Sequence, residues 1–271
     1  MKFCLVNGVQ QNHLDIESRS IAYGDGLFTT AKIHNGQIQY LPLHIKRLLL
    51  GCDKLGITPP NDLDLLHQLT AIASNYSLAI LKVIISAASG GRGYARASGN
   101  NHDLIIMVHD YPQHYDSLAV SGIKLGLSQQ QLGLNPMLSG LKHLNRLEQV
   151  LLRQELSKSN LDDLLVTNIK GELIEATSAN VFLFIEDKLY TPDVSQSGVN
   201  GLMRQAILQR YQHTRVTSLM PDDIDKAQEI FICNCVSGVI PVSSYQQRRL
   251  PIALSLAIRN DMNKVAINHD D

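Results

Sequence analysis

Two Asn-Gly dipeptides, each set between strand-like runs, constrain this chain more than any other feature. Residues 3–6 break at Asn7-Gly8, and residues 27–34 break at Asn35-Gly36 before 37–41 resume. Asn-Gly supplies the positive φ angles that a two-residue hairpin turn requires, so the chain opens with antiparallel pairs. A helix follows over about 42–55, with Pro42 in its first turn and Gly56 as its stop. Asn61 caps another, which carries Leu63, Leu66, Leu69, Ile72 and Ala73 at helical spacing. Residues 78–87 and 104–108 read as strands flanking a glycine-rich loop, Ser89-Gly90-Gly91-Arg92-Gly93-Tyr94. Hairpins mixed with helices, without strict β-α-β alternation, predict an α+β fold.

The stretch 111–122 is polar, holds Pro112 and has no period, and it reads as a connector between two domains. The expected division is 1–112, a linker over 113–121, and 122–271. Beyond the linker, strands are expected over 123–127, 163–167, 180–185 and 229–235, and helices over about 144–157, 202–211 and 250–260. At 271 residues the chain is comfortable for two domains.

Several function classes are disfavoured. The formal net charge is −1 and no basic block stands out, which argues against a nucleic-acid or anionic-membrane partner. The longest apolar run, 78–88, is interrupted by Lys82 and is too short to span a bilayer. The first eight residues lack a signal-peptide core, so the cytoplasm is the expected location. Cys4, Cys52, Cys233 and Cys235 lack zinc-site spacing and are expected to be reduced thiols. The ten histidines show no metal-binding spacing, so no metal is expected. No G-x-G-x-x-G follows a strand and no P-loop is present, which disfavours nucleotide sites.

Three linked segments carry the functional signal. They are Glu175-Ala176-Thr177-Ser178-Ala179-Asn180-Val181-Phe182, then Leu189-Tyr190-Thr191, then Val199-Asn200-Gly201-Leu202-Met203-Arg204. In order and spacing they resemble the signature of the class-IV aminotransferase-like family of fold-type IV pyridoxal-phosphate enzymes. The resemblance implies a two-domain α+β fold, with a small N-terminal domain and a larger C-terminal domain around a β-barrel-like core. It also implies pyridoxal 5′-phosphate as cofactor and a homodimer.

By that resemblance Glu175 pairs with the pyridine nitrogen, where a carboxylate holds a proton and makes the ring an electron sink. Lys142, in Gly140-Leu141-Lys142-His143-Leu144-Asn145-Arg146-Leu147-Glu148, stands where the family places the lysine that bonds to the cofactor. His44 and Arg47 lie three apart on one helix face. Arg47 matches the family's phosphate-binding arginine, its planar fork suiting a phosphate, and His44 is expected to buttress the helix. The N–H groups following Gly201, those of Leu202 and Met203, are expected at the phosphate. A further donor is expected from the turn at Asn234-Cys235.

Within the family, Tyr23-Gly24-Asp25-Gly26-Leu27-Phe28-Thr29-Thr30, the Gly90–Tyr94 loop and the segment 142–148 resemble the aminodeoxychorismate lyases. That resemblance implies cleavage of 4-amino-4-deoxychorismate to 4-aminobenzoate and pyruvate, a step of folate biosynthesis. Arg92 and Tyr94 are the expected contacts to the dianionic substrate, with Arg146 a further cation. Thr29 and Thr30 are expected as small hydroxyls on the opposite wall. The alternative is an aminotransferase acting on D-amino or branched-chain amino acids.

Overall fold

The structure, a computed structural model, describes residues 1–99 and 101–267. It divides into two units, Met1–Pro112 with Lys142–Asn145, and Gln113–Leu141 with Arg146–Asp271.

In the first unit the strands are β1 (Phe3–Val6), β2 (Val9–Gln10), β3 (Gly26–His34), β4 (Gln37–Ile38), β5 (Leu78–Ala87) and β6 (His102–His109). Its helices are α1 (Arg19–Ala22), α2 (Leu41–Leu55) and α3 (Asp62–Ala73). The strands form one antiparallel sheet in the order β2-β1-β6-β5-β3-β4. Asn7 and Asn35 take the positive φ values, 49° and 51°, that their hairpin turns demand.

Side chains alternate across a strand, so one face of β3 presents Leu27, Thr29, Ala31 and Ile33, all buried. Leu27, Ala31 and Ile33 join Leu81, Val83 and Ile85 of β5 and Ile45, Leu48, Leu65 and Leu69 of α2 and α3 in one core. Each fully buried aliphatic side chain there contributes roughly 1.5–3 kcal/mol. The other face of β3 carries Phe28, Thr30 and Lys32, all half-buried.

The second unit contains α4 (His114–Ser121), β7 (Ile123–Leu132), α5 (Leu147–Leu156), β8 (Asp163–Asn168), β9 (Leu173–Ala176), β10 (Asn180–Ile185), β11 (Lys188–Pro192), α6 (Leu202–Arg210), β12 (Arg215–Thr217), α7 (Pro221–Lys226), β13 (Glu229–Asn234), β14 (Gly238–Tyr245), β15 (Arg248–Arg249) and α8 (Ala253–Ile267). Its sheet runs β12-β11-β10-β13-β14-β7-β8-β9, with β15 added to β14. β9 ends this order, whereas β10 lies third from the opposite edge, yet only residues 177–179 join them. So short a connection forces the sheet to curl back on itself, as a half-barrel. Its interior packs Leu125, Leu165, Val181, Leu183, Ile230 and Val242. Phe182 and Phe231, cross-strand neighbours, stack at 4.8 Å.

The α+β architecture is the one expected, and three local readings change. The stretch read as an aperiodic connector holds α4, an eight-residue helix too short to display a period, with Ala119 buried. The helix expected from 144 begins at Leu147, because the residues before it are extended and hydrogen-bonded to β3. The helix expected over 250–260 is α8, displaced forward because the Leu250 N–H still pairs with the Ser243 carbonyl at 2.9 Å. Among the described residues, no helix is long and apolar enough to cross a membrane.

α8 begins on a buried carboxylate from outside the helix. Glu229 accepts from the Leu254 and Ser255 N–H groups at 3.0 and 2.9 Å and from the Ser255 hydroxyl at 2.8 Å. Glu229→Ala strands those donors. It should lower unfolding free energy by about 1.5–3 kcal/mol in a urea titration, the range for bonds to a charged group.

Candidate active site

Lys142 begins the four residues, Lys142–Asn145, that group with the first unit. Its carbonyl accepts from the Phe28 N–H at 2.9 Å, and the Leu144 N–H donates to the Gly26 carbonyl at 3.0 Å. This is a short antiparallel addition to β3, on the edge that β4 covers only at the far end. Asn145 closes it by donating to the Gly24 carbonyl at 3.1 Å. The Lys142 Nζ lies 4.6 Å from the centroid of the Phe28 ring, and the Lys82 Nζ lies 5.1 Å from it. Two ammonium groups thus share one aromatic ring. Burial lowers the Lys82 pKa.

His44, on α2, is 1 % exposed, and its Nδ1 lies 2.6 Å from the Thr29 hydroxyl. Its Nε2 is buried with no hydrogen-bond partner among the described residues. Burial, then the charges of Arg47 and Lys142, push its pKa down to about 3 and keep the imidazole neutral. Arg47 is half-buried one turn along the same helix.

In the second unit Glu175 is buried on β9, and its Oε2 accepts from the Val199 N–H at 2.9 Å. The residues around Val199 pair with Gly140 on their other bonds. The Gly140 N–H donates to Gly198 at 3.0 Å, and the Asn200 N–H donates to Gly140 at 3.1 Å. One extended segment therefore holds both the Glu175 carboxylate and the chain two residues before Lys142. Arg146 donates to the Leu141 carbonyl. Burial lowers its pKa, against the opposing charges of Glu175 and Glu148.

α6 starts at Gly201 with no side-chain cap. A Cβ at Gly201 would stand 2.0 Å from the Asn180 Oδ1, which accepts the Gly201 N–H at 3.1 Å. Only glycine lets the chain approach Asn180 closely enough to aim this helix end. The first turn of a helix directs main-chain N–H groups and positive dipole outward, a ready anion site. Arg204, 4 % exposed, braces the approach by donating to Asn200 Oδ1 at 3.0 Å and the Pro192 carbonyl at 2.9 Å.

Of the remaining expected site residues, the structure separates the two threonines. Thr29 and Thr30 cannot share a wall, because successive strand residues face opposite sides. Thr29 is buried against His44, and Thr30 lies on the face of Phe28 and Lys82. Arg146 is half-buried, with its guanidinium donating to the Leu141 carbonyl. Cys235 is buried in the turn between β13 and β14, where Asn234 Oδ1 takes the Val236 and Ser237 N–H groups. Arg92 and Tyr94 sit at an exposed loop tip, Tyr94 being 91 % exposed.

Three contributors were not read from the sequence. Lys82 carried a signal, as the one charge in an apolar run. Arg204 lay inside the motif without a role. Asp163 gave no signal: it is buried, accepts from the Thr177 hydroxyl at 2.5 Å and the Thr177 N–H at 3.2 Å, and steadies the turn after Glu175. Burial raises its pKa.

Comparison with known proteins matches residues 26–245 to the amino-transferase class IV family. The chain belongs to that family. It is 34 % identical to the aminodeoxychorismate lyase of Vibrio harveyi, over 88 % of this chain and 89 % of that one. It is 25 % identical to the D-alanine aminotransferase of Bacillus licheniformis, over 85 % and 82 %. The crystal structure of 4-amino-4-deoxychorismate lyase from Pseudomonas aeruginosa superposes with a TM-score of 0.90 at 29 % identity, covering 97 % and 98 %. An Escherichia coli branched-chain amino acid aminotransferase shares the fold, with a TM-score of 0.85 at 17 % identity over 97 % and 94 %.

A buried neutral His44 makes stability depend on pH. Its folded pKa lies below the unfolded value, so its contribution is complete above about pH 6.5 and is lost as pH falls toward 3. Across that window the loss should approach about 1.4 kcal/mol per pH unit. His44→Gln should flatten the pH dependence of urea-derived stability by about one proton.

Proposed function

We propose that this class-IV family member is a pyridoxal 5′-phosphate-dependent aminodeoxychorismate lyase, converting 4-amino-4-deoxychorismate to 4-aminobenzoate and pyruvate. The observation that carries this reading is the 34 % identity to a lyase across nearly the whole chain, against 25 % to a D-alanine aminotransferase of the same family.

The residues present suit the cofactor. Glu175 is a buried carboxylate held by a main-chain N–H, the kind of acid a pyridinium nitrogen requires. The uncapped start of α6, with Leu202 and Met203 in its first turn, and Arg47 supply the donors a phosphate requires. The turn at Cys235 offers only main chain and a thiol. Bound to Lys142, the cofactor supplies an electron sink for the carbon bearing the substrate's amine.

The remaining chemistry falls to the chain. The Lys142 amine removes the proton from C4 of the substrate and returns it to the enolpyruvate carbon as pyruvate departs. Its pairing to β3 fixes the Lys142 backbone, and so the starting point of that amine. Glu175 keeps a proton on the ring nitrogen. His44, fully buried and neutral, fills the space beside Arg47 without adding a third positive charge. The substrate is a dianion, for which Lys82 and Arg92 are the cations, with Tyr94 at the rim and Thr30 on the Phe28 face. Thr29 contributes through its bond to His44. The same reading makes the enzyme a cytoplasmic homodimer.

A lyase regenerates its cofactor in each turnover. Purified enzyme should therefore release pyruvate and 4-aminobenzoate in equal amounts from aminodeoxychorismate with no keto acid added. Conversion of D-alanine or leucine only when 2-oxoglutarate is supplied, with neither product formed, would replace the lyase by an aminotransferase.

Glu175→Gln should retain cofactor in equilibrium dialysis yet lose about 10²- to 10⁴-fold in turnover, the usual weight of an acid–base group. Near-normal turnover would remove Glu175 from this role.

A further inference from the structure

The glycine-rich loop between β5 and β6 is closed on itself. The Ala95 N–H donates to the Arg92 carbonyl at 3.2 Å, making a tight turn at the tip. Gly91 permits it: its φ is +87°, and a Cβ there would stand 2.1 Å from the Ala95 carbonyl. The turn leaves three successive carbonyls, Gly93, Tyr94 and Ala95, pointing at one guanidinium. Arg19, 4 % exposed, donates to them at 3.3, 3.2 and 3.4 Å. Its guanidinium also lies 4.7 Å from the Tyr23 ring, which meets the Tyr94 ring at 5.7 Å.

Asp25 holds this arrangement together. Its Oδ2 accepts from Arg19 Nε at 2.8 Å and Arg96 Nε at 2.9 Å, and its Oδ1 accepts from Arg96 Nη2 at 2.5 Å. Arg96 follows the tip and also donates to the Leu55 and Gly56 carbonyls, at 2.8 and 2.7 Å, where α2 ends. The Asp25 main chain is itself fixed, its carbonyl accepting from the Ala87 N–H at 2.9 Å. One carboxylate thus ties the loop to α1, to the end of α2, and to the start of β3 beside the Lys142 pairing. Isolated surface ion pairs contribute little, but a bidentate, shielded network of this kind is the exception. Burial raises the Asp25 pKa, yet the two arginines more than offset this and keep the carboxyl below its ordinary range.

We propose that Asp25 is a positioning residue that, through Arg19 and Arg96, sets the shape of the glycine-rich loop and thereby the fit of the dianionic substrate without touching it. The proposal rests on the lyase reading, in which Arg92 and Tyr94 meet the substrate. The Arg92 side chain takes no part in the clamp, so the clamp can fix the backbone while that cation faces outward. Without Asp25 the two guanidinium groups repel each other and the loop carbonyls keep only a poorly anchored donor.

The test uses the holoenzyme with Asp25→Asn, which keeps the shape and removes the charge. KM for aminodeoxychorismate should rise about ten-fold or more, by loss of charge-assisted bonds. Turnover number should stay within about two-fold, and affinity for pyridoxal phosphate should not change. Trypsin cleavage after Arg92 or Arg96 should accelerate, and Asp25→Glu should recover most of both effects. Should Asp25→Asn fold poorly, Arg96→Ala removes one arm and should move KM and cleavage the same way. An unchanged KM overturns the proposal, as do an unchanged cleavage rate or parallel losses of turnover and cofactor affinity. A wild-type enzyme that forms neither product defeats the lyase reading instead, and the cleavage rates then decide the clamp alone.

Discussion

The pairing of residues 142–145 with the start of β3 is the interaction on which the placement of Lys142 depends. A lysine in an ordinary loop would sample many positions, and in the proposed reaction each displacement of its amine is costly to a rate that depends on alignment. Two main-chain hydrogen bonds and the Asn145 contact remove that freedom. They also explain why α5 starts only at Leu147: residues committed to an extended edge cannot begin a helix.

The same economy governs Glu175. The segment at residues 198–200 gives one N–H to its carboxylate and shares two further bonds with Gly140. Asn200 within it is held by Arg204, and the chain then turns at Gly201 into α6. A displacement of this segment would move the acid, the approach to Lys142 and the helix end together. These features form one structural unit although they lie far apart in sequence. The short link between β9 and β10 makes the arrangement possible, because it curls the sheet.

Several buried charges in this protein rest on main chain. Glu229 sits on the N–H groups of α8, Arg146 on the Leu141 carbonyl, Arg204 on the Pro192 carbonyl and Arg19 on three loop carbonyls. Main-chain partners are held by the fold itself, so these ions gain partners with little further ordering of side chains. His44 takes the other course: buried beside Arg47 and Lys142, it stays neutral.

Much of the candidate site was legible in sequence because its chemical groups are carried by local strings. Glu175 through Phe182, Val199 through Arg204 and Gly140 through Glu148 each encode a turn and a functional group together. The Asn-Gly turns and the caps at Gly56 and Asn61 were equally local, since backbone conformation at those positions follows from the residue itself. Contacts between distant segments were not legible. No spacing announces that Asp25 joins Arg19 to Arg96, that Asp163 steadies Thr177, or that Glu229 caps a helix twenty-five residues on. Thr29 and Thr30 show the difference most plainly, for sequence placed two hydroxyls side by side, and strand geometry with the packing of α2 sent them to opposite faces. By itself the sequence determined the Asn-Gly turns, the caps at Gly56 and Asn61 and the chemical groups. Which groups meet was decided by the tertiary structure, because burial and hydrogen-bond partners belong to the folded chain and not to any one stretch of it.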